Sequence, residues 1–237
     1  MTTGAGRRSR MGVEERRRQL IDVALELFSR RSPEDVSIDD IATAAGISRP
    51  LVYHYFPGKH SLYEAAVRRA AEELTARFVE PPEGPLSGRL LRVMKRYFDF
   101  VAEHGPGFAA LLRGGPAVGA GPARERTSAM IDEVRAAACR HVLAHLGIDA
   151  PGPRLALVVR SWVGLAETTA LSWLEARAVP REELEAQLVH DFVALAAVSA
   201  MYDAETRDVV RHILAQEPGD GPLGELAEHL GGLVRLG

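Results

Sequence analysis

The sequence predicts an all-α fold made of a small N-terminal three-helix unit and a larger helical body. Three observations predict it. The stretch from Ser37 to Lys59 reads as two short helices joined by a tight turn. From Leu86 to about Ala200, apolar residues recur at helical spacing between short Gly- and Pro-rich breaks. No run of residues alternates apolar and polar side chains as a half-buried strand does.

The first helix is predicted over residues 14–31. Its apolar residues recur at i, i+3, i+4, i+7 and i+8, the stripe of an amphipathic helix: Leu20, Val23, Ala24, Leu27 and Phe28. Arg16, Arg17 and Arg18 stand at the helix start, where the dipole disfavours cations, which points to a neighbouring anion such as phosphate. Residues 1–12 are polar and basic, and we expect a disordered arm there. That arm either contacts phosphate groups or is a solvated tail.

The second and third helices are predicted from their caps. Ser37 is a good N-cap for the second helix, and Gly46 tolerates the left-handed conformation that a sharp helix exit needs. Ser48 can cap the third helix, with Pro50 in its first turn, and the pair Pro57-Gly58 ends it. A turn this short makes the two helices cross steeply, which is the geometry of a helix-turn-helix.

The third helix carries side chains suited to reading a DNA major groove. Arg49 offers a fork of donors, and Tyr53 and Tyr55 carry polar tips on rigid rings. Val52 and Phe56 are expected to point inward. An ordinary helical hairpin with half-buried aromatic residues is the alternative. The predicted DNA contacts are Ser37, Thr43, Ser48, Arg49, Pro50, Leu51, Tyr53, His54, Tyr55 and Lys59.

Residues 46–65, GISRPLVYHYFPGKHSLYEA, resemble the recognition segment of the tetracycline-repressor (TetR) family of transcriptional regulators. The residues that carry the resemblance are Gly46, Tyr53, Phe56, Lys59 and Leu62. The strong match runs from about Arg16 to Ala66, and beyond it only the number and order of helices are similar. The resemblance implies a DNA-binding head, a divergent ligand-binding body and a homodimer.

A fourth helix is predicted from His60 and Ser61 to about Phe78, with Leu62, Tyr63, Ala66 and Val67 facing inward. The resemblance implies that this helix links the head to the body. Pro81, Pro82, Gly84 and Pro85 then break the chain. We therefore predict four regions: a disordered basic arm (1–12), a helix-turn-helix domain (13–60), a helical ligand-binding and dimerisation domain (61–200) and a C-terminal helical extension (201–237).

The body helices are predicted at 86–104, 107–112, 123–146, 154–176 and 181–200. The segment 154–176 is apolar almost all the way round and must be covered on several sides, yet Arg160 and Glu167 near its middle argue against a membrane span. One chain has too few helices to bury both this helix and the next. We therefore expect a homodimer through a four-helix bundle formed by 154–176 and 181–200 of each subunit.

Two short helices are predicted after residue 200. The first contains Val209, Ile213 and Leu214, and the second contains Leu226, Leu230 and Leu233.

A ligand cavity in the body is expected from the resemblance. Methionine and aromatic side chains on three helices suit an apolar small molecule, although each of them singly is more typical of packed core. Glu167, Thr168 and His141 are the predicted polar anchors. The predicted lining is Met94, Tyr97, Phe98, Val101, Phe108, Leu111, Met130, Val134, His141, Trp162, Glu167 and Thr168.

Composition restricts the remaining classes of protein. The 237 residues carry a net charge of −3, while residues 1–60 hold 10 Lys+Arg against 8 Asp+Glu, a slightly basic front on an acidic chain. A single cysteine, Cys139, excludes an intramolecular disulfide and suits the cytoplasm. His141 and His145 lack a third metal ligand, and no catalytic motif or cofactor motif is present.

The leading hypothesis is a ligand-responsive repressor that binds a palindromic DNA operator as a homodimer and is released by a small hydrophobic effector. Activation instead of repression is a variant of it. A helical small-molecule-binding protein without DNA recognition and a helical enzyme are the alternatives.

Overall fold

The computed structural model describes residues 12–112, 122–219 and Leu223, and for 106–108, 110–112 and 122–124 the backbone alone. Residues 1–11 of the expected basic arm lie outside the described residues. So do Leu226, Leu230 and Leu233 of the predicted last helix.

The fold is all-α, as predicted. The described residues contain nine helices and no strand: α1 (Val13–Arg30), α2 (Ile38–Ala44), α3 (Arg49–Tyr55), α4 (Lys59–Arg77), α5 (Leu86–Leu112), α6 (Pro122–His145), α7 (Pro153–Ala176), α8 (Arg181–Ala200) and α9 (Ala204–Gln216). We call α1–α3 the head and α5–α9 the body. No helix in this part of the chain is both long and apolar enough to cross a lipid bilayer.

The head packs around a small core that the first half of α4 completes. Leu20, Ile41, Val52 and Leu62, one from each of the first four helices, are fully buried in it. The Phe28 and Tyr63 rings meet edge to face at 5.0 Å, and burial raises the pKa of Tyr63 to about 12. α4 therefore holds the head in place through its N-terminal half.

The turn between α2 and α3 follows the residues predicted to form it. Ser37 and Asp40 make a capping box: the Asp40 N–H donates to Ser37 Oγ (3.0 Å), and the Ser37 N–H donates to Asp40 Oδ2 (2.8 Å). These hydrogen bonds from Ser37 lower the pKa of Asp40. Gly46 has a φ of +66° at the helix exit. Ser48 is the N-cap of α3, but its hydroxyl does not make the capping hydrogen bond that we predicted.

α5 joins the two segments predicted as separate helices across a kink at Gly105, where φ is +40°. A Cβ atom at this position would lie 3.2 Å from the backbone oxygen of Ser29 in α1. That separation is tight, so the absence of a side chain lets the end of α1 approach the kink closely. The kink is therefore a direct contact between head and body.

The body core lies between α5, α7 and α8. Trp162 is buried against Phe192 with ring centroids 5.3 Å apart, and its indole N–H donates to the Leu188 carbonyl oxygen (2.7 Å). The buried Glu185 carboxylate pairs with Arg181, which also reaches Asp99 of α5 at 2.7 Å. These contacts fix α8 against α5 and α7.

α9 covers one end of the body. The Glu205 carboxylate accepts the Gly152 N–H (2.9 Å) in the α6–α7 connection, and Glu217 accepts the N–H (2.9 Å) and hydroxyl (2.6 Å) of Ser87 in α5. All three residues that predicted a helix here lie in α9. Val209 and Ile213 are buried, and Leu214 occupies the solvent face of the helix.

α7 and α8 keep a solvent-exposed apolar surface that we call the outer face, defined by Leu157, Gly164, Leu195, Val198 and Tyr202. Leu157 and Val198 are each 61% exposed. The Arg154 guanidinium lies 5.3 Å from the centre of the Tyr202 ring, which brings the start of α7 beside the end of α8. Large apolar side chains in such a patch are typical of an interaction surface.

Candidate functional site

α3 presents its polar side chains to solvent and buries its apolar ones. Val52 and Phe56 are buried in the head, as predicted, while Arg49, Pro50 and His54 are exposed and Tyr53 is 42% exposed. Leu51 and Tyr55 are half-buried, and Tyr55 packs on the edge of the head core. Tyr55 is therefore only partly available, because its ring supports the fold as well.

Arg49 is oriented by two neighbours. Its Nη1 donates to Asp39 Oδ2 at 2.9 Å, and its Nη2 lies 3.5 Å from the Tyr53 hydroxyl. The guanidinium carbon is 5.7 Å from the centre of the Tyr53 ring. The Tyr53 hydrogen bond and the Asp39 charge raise the pKa of Arg49. Asp39 was missed as a site residue, because its position in the first turn of α2 is fully explained by the helix dipole.

The other predicted DNA contacts lie around α3. Ser37, Thr43 and Ser48 are exposed, although the Ser37 hydroxyl is already engaged with Asp40 (2.8 Å). Lys59 begins α4 and is half-buried, and its Nζ donates to the Glu34 carbonyl oxygen at 3.0 Å. Lys59 thus fastens the α1–α2 connection. An ammonium group has three donors, so further donors are left for an anion.

One of the three arginines at the start of α1 reaches the end of α3. The Arg17 guanidinium lies over the Phe56 ring, 5.0 Å from its centre. A cation from α1 therefore stands close to the end of α3, and the phosphate contact suggested by the sequence stays a prediction.

The body contains a cavity bounded by α4, α5, α6 and α7. Its volume, taken as the space open to the centre of a water-sized sphere, is about 80 Å³. On the same measure one water molecule needs roughly 10–15 Å³. The cavity is therefore narrow but not filled by its own side chains. Seven predicted residues line it: Met94, Tyr97, Met130, Val134, His141, Trp162 and Glu167.

Three predicted residues do not line the cavity. Phe98 is buried on another face of α5, against Trp173 at 5.5 Å, and Val101 is buried in the body core. Thr168 is exposed, and its hydroxyl donates to the Gly164 carbonyl oxygen (3.0 Å). The side chains of Phe108 and Leu111 lie outside the described residues. Sequence reasoning also missed the wall that α4 supplies: Val67, Ala70, Ala71, Leu74 and Phe78.

The polar groups of the cavity lie on α5, α6 and α7. Arg135 and Glu167 form a two-bond ion pair with distances of 2.8 and 2.7 Å, and Arg135 also donates to Asp132 (2.9 Å). Burial, with a smaller effect of the Glu167 charge, raises the pKa of Tyr97. On α6, burial lowers the pKa of both His141 and His145, so both imidazoles are neutral at pH 7.

Metal-ligating side chains meet elsewhere in the described residues. Glu73, Glu103 and His104 bring their ligand atoms within 4.8 Å of one another. Arg77 pairs with both carboxylates, at 2.5 Å from Glu73 Oε1 and also with Glu103, so a cation already occupies the position between them. No such group forms around His141 and His145 in the part of the chain that the structure describes.

Comparison with known proteins agrees with this architecture. Residues 20–66 match the family described as "Bacterial regulatory proteins, tetR family", and residues 86–195 match "Tetracyclin repressor-like, C-terminal domain". The crystal structure of a TetR-family transcriptional regulator from Streptomyces coelicolor is 65% identical and has a TM-score of 0.89. The match covers 95% of this chain and 100% of the Streptomyces coelicolor chain. The chain belongs to the TetR family of transcriptional regulators.

Members of the TetR family bind DNA operators, usually as dimers, and the family is one of regulators and not of enzymes. The alternative of a helical enzyme is therefore wrong.

The curated relatives that this TetR-family chain matches are covered to about half of their length or less. The transcriptional activator FasR of Mycolicibacterium smegmatis is 30% identical over 111 residues, 46% of this chain and 51% of FasR. The regulator BetI of Brucella anthropi is 42% identical over 66 residues, 27% of this chain and 34% of BetI.

A more distant structure shares the TetR fold alone. FadR from Bacillus subtilis, solved in complex with stearoyl-CoA, is 16% identical with a TM-score of 0.59, and the match covers 74% of this chain and 96% of FadR.

Proposed function

We propose that this TetR-family regulator is a repressor that binds a palindromic operator as a homodimer and is released when a small hydrophobic effector enters the body cavity. The observation that carries the proposal is that α4 takes part in both sites. Its N-terminal half holds the head, and its C-terminal half lines the cavity. We further propose that residues 13–60 form the DNA-binding domain and 61–200 the ligand-binding and dimerisation domain, acting in the cytoplasm.

The coupling runs along α4. Leu62, Tyr63 and Ala66 belong to the head core, while Leu74 and Phe78 border the cavity. An effector larger than the open space has to displace a wall of the cavity, and a displaced α4 carries the head with it. The ligand shifts the equilibrium only by its differential affinity for the two positions of α4.

α6 supplies a second connection between cavity and head. Met130 is buried in the head core and also lines the cavity, and Arg126 pairs with Glu64 of α4 at 3.0 Å. Movement of α6 is therefore transmitted to the same part of α4. This connection supports a release mechanism in which the two helices move together.

The outer face of α7 and α8 is the surface through which we propose that two subunits meet. A dimer about a two-fold axis places two α3 helices on one DNA face, and heads 34–36 Å apart would match successive major grooves. The bound effector would favour a head spacing that no longer fits them.

Activation is the second candidate function, and the name of one relative favours it. FasR, at 30% identity, is a transcriptional activator. The two candidates share the DNA-binding surface and differ only in what the bound dimer does to transcription.

The proposal is tested by a mobility-shift titration of the full chain against the DNA that flanks its own gene, followed by a reporter assay on the fragment that shifts. A shifted fragment whose reporter is silenced supports the repressor. A raised reporter signal supports the activator, and failure to shift any fragment contradicts both candidates.

Arg49→Ala is expected to relax base preference at one position of each half-site, by roughly 1–3 kcal/mol per position. The reason is that the exposed guanidinium, held by Asp39 and Tyr53, is suited to a two-bond contact with a base edge. Competition titrations with every base substituted at each operator position measure the change. Arg49→Lys keeps the charge but loses the fork and should show the same relaxation. A uniform loss on operator and unrelated DNA would exclude base reading by Arg49.

Lys59→Ala is expected to weaken binding to all DNA sequences alike and to lower the slope of log affinity against log salt by about one, because it removes one phosphate contact. Lys95, the other lysine of the chain, is exposed on the body, so Lys95→Ala is the matched control. Because Lys59 also binds the Glu34 carbonyl oxygen, thermal melting is recorded for each variant. An unchanged salt slope in Lys59→Ala would show that the lysine serves the fold alone.

A further inference from the structure

Arg89 in α5 is a buried arginine for which the described part of the chain supplies no partner. The residue is only 6% exposed, and its Nε makes no hydrogen bond. No hydrogen bond or ion pair joins Arg89 to any residue in the described ranges. Its neighbours on the helix differ, since Arg92 and Arg96 both pair with the Glu80 carboxylate, at 2.5 and 2.7 Å. Among these three arginines of α5, the most buried is thus the one that has no acceptor in the described ranges.

Arg89 adjoins residues that line one end of the cavity, although it is not itself a lining residue in this structure. The residues of α5 that line the cavity are Leu90, Val93, Met94 and Tyr97. Arg89 precedes Leu90 and lies one helical turn before Val93 on the same side of the helix. His145, the last residue of α6, also lines the cavity, and the charge of Arg89 adds to burial in lowering its pKa. The charge of Arg89 therefore reaches His145 at this end.

His145 supplies a second buried atom without a hydrogen bond. His145 Nε2 is buried and has no hydrogen-bond partner in the described part of the molecule. Burying a charge or a polar group without a partner is costly, so such groups are normally paired. The Glu80 carboxylate also acts on His145, but it is already held by Arg92 and Arg96. Arg89 and the unsatisfied imidazole nitrogen are therefore expected to share an acceptor that the described residues do not supply.

The rest of the cavity offers little to an anion. At the other end, Arg135 is already held by Glu167 and Asp132, and the Trp162 N–H donates to the Leu188 carbonyl oxygen. Apart from His141, whose pKa is lowered by burial, the wall between the two ends is apolar, with Leu74, Phe78, Leu90, Val93, Met94 and Val142. From Arg89 to Tyr97, α5 rises roughly 12 Å. Only one end of this apolar channel is prepared for negative charge.

We propose that the effector is an amphipathic anion whose carboxylate or phosphate group binds Arg89 and His145 and whose apolar part lies along α5 towards Tyr97. Arginine suits this role because its planar fork matches the oxygen pairs of carboxylate and phosphate groups. The inference rests on the proposed effector role of the cavity and adds the chemical class of the ligand to it.

The test uses two fluorescent probes on the full-length protein. 8-Anilinonaphthalene-1-sulfonate carries an anionic group, and N-phenyl-1-naphthylamine has the same rings without it. Arg89→Met is expected to weaken the anionic probe by about 10- to 100-fold, the range of a lost charge-assisted hydrogen bond. It should leave the neutral probe within about two-fold. Arg92→Met, which removes the same charge from the exposed side of α5, is the matched control and should change neither probe.

Competition against the neutral probe then identifies the anion. Decanoate and decyl phosphate should displace it from the wild type better than 1-decanol does, and the stronger of the two shows which group the site prefers. In Arg89→Met the advantage of both anions over 1-decanol should disappear. If 1-decanol competes as well as the anions in the wild type, the proposed ligand class is wrong.

Thermal melting of the ligand-free protein separates a binding role from a structural one. Arg89→Met should raise the Tm, because it replaces an unpaired buried charge with an apolar side chain. A lowered Tm with equal loss of both probes would show that Arg89 supports the fold and would overturn the inference. Binding of neither probe to the wild type would remove the cavity as an effector site. If the neutral probe binds normally and Arg89→Met does not weaken the anionic probe, the anion site is wrong but the cavity can still be the effector site.

Discussion

Val198→Glu is expected to leave a folded monomer that has lost specific operator binding, by about 10³-fold or more, the usual margin between specific and non-specific affinity. Val198 is 61% exposed on the outer face of α8, where we propose that two subunits meet. A carboxylate there would be buried without a partner in the dimer, which is strongly unfavourable. A single α3 reads too few base pairs to be selective.

Sedimentation equilibrium gives the mass of the variant, and a mobility-shift titration gives its affinity. Val79→Glu is the matched control, because Val79 is 62% exposed at the end of α4, away from the outer face. It should remain a dimer and bind operator. A dimeric Val198→Glu with normal operator affinity would place the subunit interface elsewhere on the molecule.

Ala166→Leu is expected to leave operator binding within about two-fold and to weaken the neutral naphthylamine probe by at least about 10-fold. Ala166 is buried in α7 and borders the cavity. The added side chain enters the open space of about 80 Å³, so the ligand has to compete with it. Overpacking of this kind typically costs about 1–3 kcal/mol of stability, which the melting curve would report.

Ala144→Leu is the control for this change, because Ala144 is exposed on α6 outside the cavity lining. It should leave both probe binding and operator binding unchanged. If Ala166→Leu bound the probe as the wild type does, the ligand site would lie outside this cavity.

Features set by local chemistry could be predicted from the sequence. The capping box of Ser37 and Asp40 and the left-handed Gly46 define α2 and its exit, and each depends on residues within one turn. The burial of Val52 and Phe56 follows from helical spacing alone. The family resemblance then connected this helix-turn-helix geometry to DNA binding. The similarity of the chain to TetR-family regulators confirmed the family.

The residues that line the cavity depend on which face of each helix packs against which neighbouring helix. Helical periodicity in the sequence does not predict this packing. α5 is buried on more than one face, so Phe98 and Val101 have the same apolar character as Met94 and Tyr97 but pack away from the cavity. The contribution of α4 to the cavity was missed because only its apolar residues up to Val67 were predicted to face inward. The last two turns of α4 continue this apolar stripe into the body.

Two charged residues show where a sequence signal existed but was not read. Arg89 interrupts the apolar stripe of Leu86, Leu90 and Val93, and a charge at a core position is a reason to look for a partner. Asp39 and Arg49 are ten residues apart, and their ion pair depends on the angle between α2 and α3. Only the folded head brings them together.

The most direct test of whether two α3 helices, one from each subunit, recognise DNA together is in vitro selection. The full-length protein selects sites from a random-sequence DNA library. We predict an enriched palindrome whose half-sites are centred about one helical turn, or 10–10.5 base pairs, apart, with one dimer bound to each site. Enrichment of a single unpaired half-site, or no enrichment above the starting library, would contradict the account.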